Sequence, residues 1–158
     1  MKLLFACLLF VTAVHLPAQE YPKMGPDIYN TTANAAPAIG QVLKITQAQN
    51  KHVLLDFGAN WCIWYHRLQR VFTTNKLVSS ALKRDYIVVM IDTNRRHGTA
   101  RNADVVESYG KPIRHGLPVL MVLDASGRVL TTQETGALEH GDAHDPAKIL
   151  AFLRKWAP

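Results

Sequence analysis

Residues 53–65 read VLLDFGANWCIWY, and this stretch decides how the chain folds. An apolar run from His52 to Phe57 has the length of a buried strand. Gly58, Ala59 and Asn60 form a turn. From Cys62 to Thr74 the apolar residues Tyr65, Leu68, Val71 and Phe72 return at helical spacing, with His66, Arg67, Gln69 and Arg70 on the opposite face. The segment thus reads as a strand that delivers Cys62 to the first turn of a helix. Unpaired backbone N–H groups and the helix dipole at that position favour a thiolate, so the Cys62 pKa is expected below the free-thiol value of about 8.5. The competing reading is a small buried apolar cysteine. Three residues on, Tyr65 carries a phenol, which cannot form a disulfide.

Periodicity extends outward from this centre. A helix is expected over 34–50, with Pro37 tolerated in its first turn. A short helix is expected over 77–82 and a second strand, YIVVMI, over 86–91, ending at Asp92. A polar connection follows, then a short helix over 103–109. Leu117 to Leu123 forms a third strand, Ala125-Ser126-Gly127 a hairpin turn, and 128–132 a fourth strand. Residues 133–144 read as a loop with Gly136 and Gly141. Asp145 caps a closing helix with Pro146 in its first position and Ile149, Leu150, Leu153 and Trp156 as its buried stripe. This order implies an α/β domain, a mixed central sheet with helices on both faces.

The remaining composition narrows the class. The chain has 158 residues, 48% apolar and 19% charged, enough for one domain with a full core. After Met1 and Lys2 comes LLFACLLFVTAV, too short to span a bilayer and of the length of an export-signal core, with a cut expected near Ala18. An uncleaved N-terminal anchor is the alternative. The domains expected are thus a signal peptide at 1–18, an irregular lead-in at 19–33 and a folded domain at 34–158. The protein is exported on this reading, periplasmic or secreted. Cleavage removes Cys7 and leaves Cys62 as the one cysteine, with no disulfide framework. It also removes Lys2, so 18 basic residues against 12 acidic become 17 against 12, a net charge of +5. The basic residues are dispersed without aromatic interleaving, which argues against nucleic acid as a partner. Arg95, Arg96 and His97 read as part of a solvated connection. His66, and the set His140, Asp142 and His144, do not give three convergent ligands at a recognised spacing, so no metal and no cofactor are expected. Asn30-Thr31-Thr32 is a glycosylation sequon, meaningful only in a eukaryotic secretory pathway.

Four pieces in order resemble the thioredoxin superfamily. LDFGANWCIWY matches the VDFWAxWCxxC segment, IDTN at 91–94 is similar to the IDxN at the end of the central strand, and Arg114-His115-Gly116-Leu117-Pro118 resembles the segment with the cis-proline. Gly136-Ala137-Leu138 resembles the glycine segment after the last hairpin. The resemblance covers roughly residues 35–157 and implies a thioredoxin-like fold. It is similar also to exported thioredoxin-like proteins with a WCxWC motif, with Tyr65 in place of the second cysteine. It implies that Cys62 is the nucleophile, that Asp56 matches the buried proton acceptor, and that Trp61, Leu117 and Pro118 bind an extended segment of an exported protein. Two departures matter. The cysteine that Asp56 would serve is absent, and the lysine that often pairs with this aspartate is Val88, which leaves a structural relic as the other reading of Asp56. Without a second thiol, Cys62 can form a mixed disulfide but needs an external thiol or reductase for turnover. The Tyr65 hydroxyl is expected to bond Asp56 or the Cys62 sulfur, or else the ring simply packs. His66, four residues after Cys62, shares one helix side with it and reads as part of a solvated helix face, the alternative being a group that stabilises the thiolate. Three functions remain in view: monothiol exchange, a redox-inactive module that binds peptides or proteins, and a Cys62-linked homodimer.

Overall fold

The computed structural model describes residues 24–96, 98 and 100–158. The expected export signal, Cys7 and His97 lie outside the described residues.

Helix α1 (Ala35–Gln49) starts where the Asn34 side chain accepts the Ala36 N–H at 3.2 Å. It stops at Asn50, which adopts the left-handed conformation (φ 50°, ψ 52°) that asparagine tolerates better than most residues. Strand β1 (His52–Gly58) is buried along its whole length after His52. That is why it reads as a continuous apolar run and not as an alternation. Helices α2 (Ile63–Thr74) and α3 (Lys76–Asp85) then carry the chain across to β2 (Tyr86–Asp92), which lies parallel to β1 with His52 opposite Tyr86 and Gly58 opposite Asp92. Strand β3 (Val119–Leu123) runs antiparallel on the other side of β1, and β4 (Val129–Glu134) antiparallel to β3. The sheet order is β2-β1-β3-β4. This is the mixed sheet expected from the element order.

The sheet divides the core. Val53, Leu55 and Phe57 of β1 pack with Ile39 of α1 and with Val105 and Val106 of α4 (Ala103–Ser108). Leu54, on the opposite face, packs with Leu68 and Phe72 of α2, Val78 and Leu82 of α3, and Ile149, Phe152 and Leu153 of α5 (Pro146–Lys155). Each fully buried Leu, Val or Phe contributes roughly 1.5–3 kcal/mol by leaving water. Successive strand side chains alternate faces, so Asp56 shares Leu54's side and is committed to the α2 face of the core.

Several details differ from expectation. The third strand begins at Val119, not Leu117, because Pro118 has no N–H to give a ladder. The region read as a loop over 133–144 holds the end of β4, a 3-10 turn at Thr135–Leu138 and a small hairpin of β5 (Glu139–His140) and β6 (Ala143–His144). Two-residue strands are too short to show a period. In α5, Asp145 caps the Ala147 N–H as expected, and Phe152 joins the buried stripe while Leu150 and Trp156 are only partly covered.

Candidate functional site

Cys62 is the N-cap residue of α2, in extended conformation (φ −86°, ψ 110°), and its side chain caps nothing. Its backbone closes the turn on both sides: its N–H donates to Ala59 O at 2.9 Å, and its carbonyl accepts from Tyr65 N–H at 3.1 Å and His66 N–H at 3.4 Å. The thiol donates to the carbonyl of Leu117 at 3.4 Å. The Leu117–Pro118 peptide is cis, and Pro118 is buried with its carbonyl held by the Thr135 hydroxyl at 2.8 Å. Trp61 and Leu117 pack against the cluster that holds Cys62, a residue only 6% exposed. Sequence-predicted Cys62, Trp61, Leu117 and Pro118 thus converge at one end of the sheet.

The electrostatics of the thiol correct the expectation. Burial pushes the Cys62 pKa up. The N–H groups of Tyr65 and Trp64 and the Arg96 guanidinium pull it down, and Asp56 adds to the rise, but desolvation is the largest influence. A helix N-terminus does favour a thiolate. Here it acts on a sulfur with little water around it, and the loss of water wins.

Asp56 is fully buried, and loss of water raises its pKa to about 7. Its Oδ1 accepts a hydrogen bond from the Tyr29 hydroxyl at 3.2 Å, which opposes that rise, and its Oδ2 has no partner among the described residues. Tyr65 lies in the core beneath Cys62, its ring tilted 38° against Tyr29 with centroids 4.1 Å apart. The expected bond from the Tyr65 hydroxyl to Asp56 or the sulfur is not made: Tyr29 takes the carboxylate and the Tyr65 hydroxyl has no partner of good geometry. Burial, with Asp56 nearby, keeps the Tyr65 phenol protonated.

Several residues of the site were not visible in the sequence. Tyr29 comes from the lead-in and is 2% exposed. Asn60 ties that segment down, accepting the N–H groups of Ile28 and Tyr29, both at 2.8 Å, and donating to Tyr29 O at 3.0 Å. Arg96 is not merely part of a solvated connection: its guanidinium lies 3.3 Å from the centre of the Trp61 ring. Asn94 holds the Trp61 indole N–H at 3.1 Å and the Arg96 N–H at 2.9 Å. One signal could have shown that a seat stood open, though not which residue fills it. Gly58 stands where the family pattern has a tryptophan, and a missing side chain in a core strand implies something seated over it.

His66 turns to Asn60, its Nε2 2.9 Å from the Asn60 carbonyl, away from a role on the sulfur. His144 is buried edge-on to Trp64, with its pKa lowered to about 4 by loss of water and by Arg67. His140 and Asp142 are exposed. No three possible metal ligands converge among the described residues.

Residues 39–125 match a family described as thioredoxin-like. Over 97 residues the chain is 30% identical to the thiol:disulfide interchange protein DsbD of Actinobacillus pleuropneumoniae, covering 61% of this chain and only 16% of that protein. Among solved structures it is similar to a disulphide isomerase from Xylella fastidiosa Temecula1 (TM-score 0.71, 28% identity, 82% of this chain and 96% of that one). It also shares its fold with the C-terminal domain of DsbD from Neisseria meningitidis (TM-score 0.56, 20% identity, 78% of this chain and 97% of that one).

Proposed function

Since the chain belongs to the thioredoxin-like family, we propose that it is an exported thiol-disulfide exchange protein that works through Cys62 alone. The observation that carries this reading is Tyr65, a fully buried phenol on α2 three residues after the cysteine. The Cys62 thiolate attacks one sulfur of a disulfide, a Cys62–sulfur bond forms, the original S–S bond breaks, and the departing thiolate leaves with the electron pair and takes a proton from water. With no second thiol at 65, release falls to an external thiol or reductase, which attacks the mixed disulfide and restores Cys62. Asp56, the proton acceptor that the resemblance implies, is a buried carboxyl with a pKa of about 7 whose charge opposes ionisation of Cys62, so on this reading it tunes the thiol and does not take its proton. Trp61, Leu117 and Pro118 line the place where an extended segment of an exported protein would lie. Export rests on the apolar stretch in 1–18, and no helix among the described residues is long and apolar enough to cross a membrane.

The test is incubation of the mature protein with oxidised glutathione across pH 6–10, read by intact mass. A single glutathione adduct that is lost in Cys62→Ser and removed by added thiol is the expected result. No adduct in the folded state at any pH overturns the reading. The raised thiol pKa and the low exposure of Cys62 favour a second reading, a redox-inactive module that binds extended segments in the same groove. The same low exposure counts against a Cys62-linked dimer, which needs two sulfurs at the surface.

A further inference from the structure

We propose that Tyr29 is a positioning residue for this site: its phenol, seated in the notch that Gly58 leaves open, governs when the buried Asp56 carboxyl ionises and thereby the pH at which Cys62 reacts. The inference rests on the thiol-exchange reading of Cys62.

The seat is built from both sides. A Cβ added at Gly58 would lie 2.1 Å from the Tyr29 hydroxyl oxygen and 2.7 Å from the ring carbon that bears it. Any other residue there would expel the phenol. Asn60, two residues on, grips the backbone of Ile28 and Tyr29 through three hydrogen bonds. One short turn thus carries both the notch and the clamp, and their common effect is to fix one hydroxyl 3.2 Å from Asp56. It is the one hydrogen-bond donor to that carboxylate among the described residues, since Oδ2 is unpartnered. The Tyr29 proton does not leave: burial, Asp56 and Tyr65 all hold it on. Tyr29 is therefore a fixed donor. A fixed donor stabilises the carboxylate more than the neutral acid.

The link to Cys62 has a definite sign. The groups that bear on Asp56 are the Tyr29 and Tyr65 phenols, the latter from α2. Asp56 and Cys62 oppose each other's ionisation, while Arg96 favours the thiolate. Met90 of β2 and Leu120 of β3, its neighbours in the sheet, are apolar. Removing the Tyr29 hydroxyl keeps Asp56 neutral to higher pH and lifts a negative charge from the neighbourhood of the sulfur. Loss of a buried hydrogen bond then makes the thiol more reactive near neutrality. A merely structural role for Tyr29 predicts a looser site at every pH alike.

The experiment is a 13C NMR titration of the Asp56 carboxyl, identified by its loss in Asp56→Asn, together with the pH profile of Cys62 alkylation, in wild type, Tyr29→Phe and Gly58→Ala. In Tyr29→Phe the Asp56 midpoint is expected to rise by about one pH unit, the worth of one hydrogen bond to a charged group. Alkylation near neutral pH should be roughly two- to threefold faster. Gly58→Ala, which displaces the same hydroxyl, should move both readouts the same way. An unmoved Asp56 midpoint in Tyr29→Phe overturns the inference whatever Cys62 does. A moved midpoint with an unchanged alkylation profile overturns the link to the thiol. Failure of the exchange reading shows elsewhere, in a wild-type Cys62 that alkylates in this assay yet takes no glutathione.

Discussion

Cys62 is pulled in opposite directions by its neighbours, and each pull is attached to a side chain that can be removed. Burial holds the proton on, so alkylation in the native protein should still be climbing above the ordinary thiol midpoint of about 8.5, as pH-dependent mass spectrometry would show. Arg96 works the other way. Arg96→Gln is expected to slow alkylation at pH 8 several-fold, while urea unfolding abolishes the difference between the two proteins. Tyr65→Cys supplies the missing second thiol and should give the protein dithiol reductase activity in an insulin-reduction assay, at a cost of about 2–4 kcal/mol for the emptied ring space. An inactive but folded variant would mean that the site has moved beyond redox use. The sequence disclosed Cys62, Trp61 and Asp56 because they sit within one strand-turn-helix and obey local spacing. It did not disclose Tyr29 or Arg96. Both arrive from irregular segments, more than 25 residues away in the chain from the groups they touch, and no local period records such a meeting.

Elements were legible where their apolar residues repeat. The crossover through α2 and α3 is an instance, and it turns on one residue that the period does not reveal. Asn75 closes α2, its N–H donating to Val71 O at 3.1 Å, and opens α3, its side chain accepting the N–H groups of Leu77 and Val78, each at 3.1 Å. Asn75→Ala removes the second function and should lower stability by about 1 kcal/mol, measured by urea denaturation with an unchanged slope. The hairpin of β5 and β6 escaped notice for the opposite reason. It is held by a turn at Gly141 (φ 60°) and by packing of β6 on α2, neither of which leaves a pattern in two-residue strands.

At the scale of the whole molecule, two buried ionisable groups set opposing slopes of stability against pH. Asp56 has a folded pKa raised to about 7, so between the unfolded value near 4 and pH 7 the folded state holds a proton that the unfolded chain has lost. Stability therefore falls as pH rises through that window. His144, with Arg67 and Glu139 as its charged neighbours, has a folded pKa lowered to about 4. Between pH 4 and the unfolded value near 6.5 the unfolded chain holds the extra proton, and stability rises with pH. The two slopes offset each other across roughly pH 4–6.5. Chemical denaturation at a series of pH values should show a shallow plateau in the native protein, a rising curve in Asp56→Asn and a falling one in His144→Gln. Parallel curves for all three would show that neither group carries the linkage.

The contact between Cys62 and Leu117 joins points 55 residues apart, and it has a consequence for traffic through the site. A sulfur can donate only while it keeps its hydrogen. In the resting state the thiol occupies one of the two lone pairs of the carbonyl to which, on the proposed reading, an extended segment would offer an N–H. When that hydrogen leaves, or when the sulfur is tied into a mixed disulfide, the berth falls vacant. When the thiol is regenerated it competes for the berth again. On the proposed reading, guest and thiol share one oxygen atom, and the redox state of the sulfur would set how much of it is open to the guest.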